Sequence, residues 1–259
     1  MGNMKDDPGL LPIRGALWPG VRYGCTTRHG GVSNAPWDTF NLGMHTGDAS
    51  DAVLENRRRL TAILPEAPFW LEQVHGIDVA DADAPPLGAG GPPRADAAVT
   101  TRPGRVLAIM TADCVPVVIA DVHGRALGVA HAGWRGLAAG VLEATVAALR
   151  SRLPDAAAWR AWVGPCIGQA RFEVGDEVRC AFVDDDGAAS QYFTAGVVPG
   201  KWLADLAGLS FHCLAKMGIQ HVERSGLCTY ERADLFYSYR RESTTGRMAT
   251  IAWLEGRPA

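Results

Sequence analysis

The chain has no C-x-x-C, H-x-H, H-E-x-x-H, G-x-S-x-G or G-x-x-x-x-G-K-[ST] segment, so the usual signatures of zinc ribbons, zincins, nucleophile-elbow hydrolases and P-loop NTPases are missing. It also lacks the run of roughly 18 apolar residues that a membrane helix needs, its best candidate (Val106 to Val122) being cut by Asp113. No positive segment followed by an apolar run opens the sequence, and Asp6 breaks the myristoylation pattern. The expectation is a cytoplasmic protein with no membrane partner. Basic excess is missing too: 25 Lys plus Arg against 28 Asp plus Glu give a net charge of -3, which offers nucleic acid no electrostatic footprint. Six cysteines are present, but the closest two (Cys166 and Cys180) are 14 residues apart and no secretory signal accompanies them, so they read as reduced thiols.

What is present describes a globular protein. At 259 residues and 47% apolar side chains the chain can bury a full core. Internal repeats are absent, and the Pro/Gly-rich stretch Ala84 to Arg94 is too short to link independent domains, so residues 1–259 read as one domain. Strands are expected at Val21 to Thr27, Arg105 to Met110, Val115 to Asp121, Arg125 to His131 and Met248 to Leu254. Helical spacing covers Ala52 to Leu64, Leu137 to Leu149 and Leu203 to Met217. Strands come in a run without strict βαβ alternation. That order favours an α+β fold of mixed sheets flanked by helices over a doubly wound one.

The chemistry-bearing residues sit at strand ends. Asp113-Cys114 interrupts two strongly apolar strands, and His131 closes the next strand just before Ala132-Gly133-Trp134-Arg135-Gly136. If these strands pair as neighbours, Cys114 and His131 emerge at one sheet edge. They serve equally as a packing thiol and a satisfied strand-end histidine, as nucleophile and base, or as metal ligands. His75, in Gln73-Val74-His75, is a third candidate ligand in another extended segment.

The segments WLEQVHGIDV, ADAAVTTRPGRVLAIMTADCVPVVIAD, HAGWRG, GPCIG with FEVGDEV, and CTYERADLFYSYRRESTTGR resemble, in order, the motifs of the YfiH-like laccase-domain family. TTRHGGVSNAPWDTFNLGMHTGD and ENRRRL are similar to its N-terminal region. The resemblance implies a single domain related to the cytotoxic necrotizing factor fold. It also implies phosphorolysis of adenosine, inosine, guanosine and methylthioadenosine, together with adenosine deamination, so that the expected partners are purine nucleosides and phosphate. By the same resemblance His75, Cys114 and His131 hold a zinc ion, a donor set of one thiolate and two imidazoles that leaves a fourth tetrahedral position open. Copper at that site remains an alternative, because the laccase label suggests an oxidase or a cell-wall precursor editing enzyme. A Cys114–His131 hydrolase and a zinc-binding module without turnover are the others.

Around the centre, Asn41 lines the substrate pocket by resemblance, though a turn Asn is the plain reading. His45 is a further pocket candidate. Arg57, in ENRRRL, and Arg241, in the late basic pair, are expected at phosphate because guanidinium donates in bidentate fashion to its oxygens. Arg135 follows as a possible anion contact, and Cys166 in GPCIG as a pocket wall. Asp113, beside Cys114, is the nearest carboxylate for acid–base work, since the combined H-x-E and P-C-x-x-C signature of zinc deaminases does not occur.

Overall fold

The computed structural model describes residues 11–85 and 91–256. Strand β1 (Val21–Cys25) leads to helix α1 (Ser50–Thr61), and then β2 (Val79–Asp81), β3 (Ala97–Thr100), β4 (Leu107–Thr111), β5 (Val115–Asp121) and β6 (Leu127–Ala132) follow in succession. Helices α2 (Trp134–Ala139) and α3 (Val141–Arg152) precede β7 (Trp159–Val163), β8 (Glu173–Gly175), α4 (Asp176–Val183), β9 (Phe193–Ala195) and β10 (Lys201–Ala204). Helix α5 (Leu206–Lys216), β11 (His221–Arg224) and β12 (Met248–Leu254) complete the order.

The strands form a six-stranded sheet, β11-β7-β5-β6-β3-β2, and two three-stranded sheets, β1-β12-β4 and β8-β10-β9. Pairing is antiparallel except for β2 with β3 and β11 with β7. Alternation along β5 builds two cores at once, because successive strand side chains point to opposite faces. Val115, Val117 and Ile119 pack with α3 and α5, while Val118 and Ala120 pack with Tyr23, Ile109 and Met248 of the β1-β12-β4 sheet. Phe40 and Leu60 of the α1 side cover the outer face of that sheet through Ala108 and Ile251. The result is a layered sandwich, helix, sheet, sheet, helix, in which both faces of the central strands are buried. Burying each Val or Ile there stabilises by roughly 1.5–3 kcal/mol relative to exposure.

Two helical expectations change. Leu137 to Leu149 is not continuous: Gly140, at φ 101, ends α2 and starts α3, a left-handed position that glycine adopts without strain. Leu203 to Met217 begins as strand, because β10 pairs with β8 and β9, and α5 starts only after Asp205, whose carboxylate accepts from the Gly208 amide at 2.8 Å. The short strands β2 and β8–β11 carry no periodic signal strong enough to be read in advance. Part of the Ala84 to Arg94 stretch, which the sequence reads as a mobile connection whose place after His75 would allow it to act as a lid, lies outside the described residues. No helix among the described residues is long and apolar enough to cross a membrane.

One feature of this topology positions the site. After β4 the chain leaves the smaller sheet, crosses through Ala112, Asp113 and Cys114, and enters the larger sheet as β5. The end of β6 lies beside that crossing, with Val115 opposite Ala132 and Pro116 opposite His131.

Candidate metal centre

The β5–β6 register carried one step further sets Cys114 opposite Gly133. On the other side of β6, Ala97 opposes Ala130, so Asp96 falls beside His131, whose amide donates to the Asp96 carbonyl at 2.7 Å. The Asp96 carboxylate then collects a turn from elsewhere in the chain. It accepts from the amides of Val74 at 3.0 Å, His75 at 3.0 Å and Gly76 at 2.7 Å. His75 occupies φ 61 in that turn, an uncommon conformation for a residue with a side chain and one that the three amide bonds over-determine. One ligand atom from each of His75, Cys114 and His131 then lies within 4.8 Å of the others. Cys114 Sγ is 3.7 Å from His75 Nε2, and the two imidazoles meet edge to face at 4.7 Å.

Glycines make the approach possible. A Cβ on Gly133 would stand 2.7 Å from His75 Cδ2 and 3.1 Å from Cys114 Sγ, and one on Gly136 would stand 2.8 Å from the Gly76 carbonyl oxygen. The HAGWRG segment therefore leaves room for the ligands as well as supplying one of them.

Electrostatics favour the ligand form of Cys114, whereas the upward shift of His131 means that a metal has to displace its second ring proton. His131 Nδ1 pairs with Asp96 Oδ1 at 2.7 Å, which holds the proton on Nδ1 and leaves Nε2 for the centre. Burial alone would raise the Cys114 thiol, but the neighbouring His131 and His75 imidazoles outweigh it and bring the thiol down to about 6. Burial likewise opposes charge on His131, and the Cys114 thiolate and Asp96 outweigh it in the upward direction. Asp96 is held below the usual carboxylate range, burial being overcome by His131 and the loop amides. By contrast, burial pushes Cys25 up to about 12 and raises Cys166 as well.

The centre opens into a cavity of about 440 Å³ whose wall includes Gln73, Met110, Ile167, Phe172, Tyr239 and Arg247. His45, Asp113 and Arg135 also line it, whereas Asn41, Arg57, Cys166 and Arg241 are not part of its wall. Asn41 is buried and organises backbone, accepting from the amides of Gly43 at 3.0 Å and Arg247 at 2.9 Å. Arg241 donates to the carbonyls of Thr229, Tyr230 and Phe236, and Cys166 lies in the core at 5% exposure. The Asp113 carboxylate accepts from Thr229 Oγ1 at 2.6 Å, Ser238 Oγ at 3.0 Å and the Arg240 amide at 2.7 Å, which ties down the late CTYERADLFYSYRR segment and holds Asp113 at φ 95. An H-x-E triplet does occur, His221-Val222-Glu223, but it lies in β11 at the edge of the large sheet, where Glu223 accepts from Ala16 and Trp18.

Three residues of the site escaped the sequence reading. Asp96 stood as a lone carboxylate opening the apolar strand ADAAVT, a signal visible in the motif but silent about its partners. Gln73 clamps the Met110 peptide, donating to its carbonyl and accepting from its amide at 2.8 Å each. Arg247 closes STTGR.

The family profile described as multi-copper polyphenol oxidoreductase laccase matches residues 22–255. The chain belongs to this laccase-domain family. A Pseudomonas aeruginosa relative named purine nucleoside phosphorylase is 47% identical over 241 residues, 92% of this chain and 96% of the relative. YfiH of Escherichia coli (strain K12), which carries the same name, is 47% identical over 242 residues with 92% and 96% coverage. Among solved structures, a Neisseria meningitidis protein that is 41% identical superposes with a TM-score of 0.85 over 93% of this chain and 98% of its own. YfiH of Bacillus licheniformis, 30% identical, gives 0.84 over 91% and 93%. In this laccase-domain chain, His75, Cys114 and His131 form the one grouping of three or more ligand side chains among the described residues. That donor set suits a single metal ion; a multicopper cluster needs many more imidazoles.

Proposed function

We propose that the chain is a zinc-dependent purine nucleoside phosphorylase that also deaminates adenosine, working in the cytoplasm where its thiols stay reduced. The observation that carries this reading is the three-donor centre on a cavity wall. One thiolate and two imidazoles fit zinc, and the open fourth position is the mark of a catalytic rather than a structural site. The names of the relatives supply the substrate class. When bound, zinc supplies a Lewis acid that polarises oxygen and lowers the pKa of bound water to about 7.

The chain's own residues would do the rest. Cys114, His75 and His131 hold the ion, and Asp96 orients His131. Phe172, Ile167 and Tyr239 give apolar and aromatic wall for the purine within a lining that is otherwise rich in polar groups. In phosphorolysis a phosphate oxygen forms a bond to the ribose C1′ and the bond from C1′ to the base nitrogen breaks; the base leaves with the bonding pair and takes up a proton. Asp113 is a poor acid–base candidate, since its carboxylate already holds three protein donors, and it is better read as positioning Cys114. The low thiol pKa beside His131 favours one second reading, a cysteine hydrolase, which would work without metal.

Chromatography of products from adenosine, with and without phosphate, tests the proposal, and elemental analysis distinguishes zinc from copper. Adenine with ribose 1-phosphate means phosphorolysis, and inosine means deamination. Zinc-loaded protein yielding neither product would overturn the reading, and full turnover in metal-free protein would put the cysteine hydrolase in its place.

A further inference from the structure

Two half-buried guanidinium groups, Arg57 and Arg247, both act on His45 beside the cavity, and neither forms an ion pair among the described residues. Arg57 reaches from α1, donates from Nε to the Leu42 carbonyl at 2.9 Å, lies over the Trp70 ring at 4.1 Å, and brings Nη2 to 3.7 Å from the sulfur of Met110, a wall residue. Arg247 lies in the wall itself; its Nη1 donates to the carbonyls of Thr245 at 3.0 Å and Gly246 at 2.9 Å. Leu42 joins the two, because its amide donates to the Arg247 carbonyl at 3.2 Å while its own carbonyl takes the Arg57 bond. Asn41 sets the adjoining turn by accepting from Gly43 and donating to Thr46 Oγ1 at 2.9 Å, and this turn carries His45 into the cavity wall.

The negative charges that Arg247 feels are Cys114 and Asp113, and neither pairs with it directly. Asp113 is the one carboxylate in the wall, and its oxygens are occupied by Thr229, Ser238 and Arg240. Nε and Nη2 of Arg247 and Nη1 of Arg57 have no protein acceptor among the described residues. These free nitrogens are not among the buried atoms without a partner, so they stay open to an incoming anion, and phosphate matches the planar fork of guanidinium. We propose that Arg247 in the wall, backed by Arg57 across the Met110 sulfur and with His45 beside it, forms the phosphate subsite of this cavity, where the N-terminal loop, α1 and the start of β12 come together. The inference rests on the phosphorylase reading and replaces Arg241, whose donors are spent on three carbonyls, by Arg247. Burial followed by the two arginines holds His45 below its ordinary value, so a neutral imidazole faces the subsite and can donate to or accept from the substrate. Burial likewise lowers Arg57, to about 10, which still leaves it charged at neutral pH.

The test uses zinc-loaded wild type, Arg247→Gln and Arg57→Gln, with inosine phosphorolysis followed over a range of phosphate concentrations. Loss of charge-assisted hydrogen bonds should raise the KM for phosphate about 10–100-fold in each variant while the KM for inosine changes little. Inorganic phosphate alone should raise the melting temperature of wild type and fail to raise that of Arg247→Gln. Should either Gln variant not fold, Arg247→Lys and Arg57→Lys keep the charge but lose the fork, and a smaller rise in phosphate KM is expected from them. An active wild type whose variants keep its phosphate KM overturns the subsite and leaves the phosphorylase reading intact. A wild type that forms no ribose 1-phosphate, yet gains stability from phosphate through Arg247, overturns the phosphorylase reading and keeps the anion site.

Discussion

Asp96 Oδ1 accepts from His131 Nδ1 at 2.7 Å and, with the same oxygen, from the His75 amide at 3.0 Å. One carboxylate therefore positions two of the three ligands, one through its side chain and the other through its backbone. The two ligands are 56 residues apart in the sequence, and this shared acceptor brings the His75 turn to the end of β6.

Asp96→Asn should weaken zinc binding about 10–100-fold, since an amide neither stabilises the His131 Nδ1 proton nor accepts as strongly from the loop. Competition with a chromophoric chelator measures this, and wild-type affinity in the variant would contradict the assignment. The same group predicts an acid dependence. Its folded-state carboxyl is depressed, so the stability it contributes is present above the unfolded value of roughly 4 and is lost as pH falls through the folded value. The stability gap between wild type and Asp96→Asn should accordingly narrow as the pH is lowered from 6 towards 3.

Cys114→Ala removes the single anionic ligand and leaves two neutral imidazoles. Its zinc content should fall well below the one ion per chain expected of wild type, with the fold kept because Cys114 lies at a strand start rather than in the core. Elemental analysis decides, and a variant retaining stoichiometric zinc would falsify the proposed donor set.

Gly133→Ala introduces a methyl group 2.7 Å from His75 Cδ2. Relief requires the His75 turn or the start of α2 to move, at an expected cost of about 1–3 kcal/mol together with reduced zinc occupancy. Thermal melts of metal-free and zinc-loaded protein should show the larger deficit in the loaded form. Equal deficits would mean that the glycine serves packing alone.

Thiol reactivity reports the electrostatics directly. In metal-free protein, alkylation of Cys114 by iodoacetamide should rise as pH passes about 6, because the thiolate is the reactive form and the histidines favour it. Cys25, pushed up to about 12 by burial, should stay unmodified at pH 8, and zinc should protect Cys114. Peptide mapping after short exposure distinguishes the sites; equal labelling of Cys25 and Cys114 would count against this picture of the centre.

The sequence alone was enough for the β5–β6 hairpin and for placing Cys114 and His131 at its open end. Continuous apolar runs broken by Asp113-Cys114, a turn closing at Gly124 (φ 65) and a histidine at the strand end have a local physical cause, namely chain reversal and strand alternation. The α+β character followed in the same way from strands that succeed one another without helices. Tertiary structure alone decided the division of labour among the polar residues. Asp96 became the organiser of two ligands because β3 lies beside β6 in a particular register. Asp113 and Arg241 were turned inward to hold the late segment, and Arg247 was brought beside Arg57 by the paired peptide of Leu42. Each of these outcomes depends on which distant donor or acceptor ends up within about 3 Å, the reach of a hydrogen bond. That distance is set by long-range sheet pairing between segments dozens to two hundred residues apart, and the local pattern of side chains does not encode it.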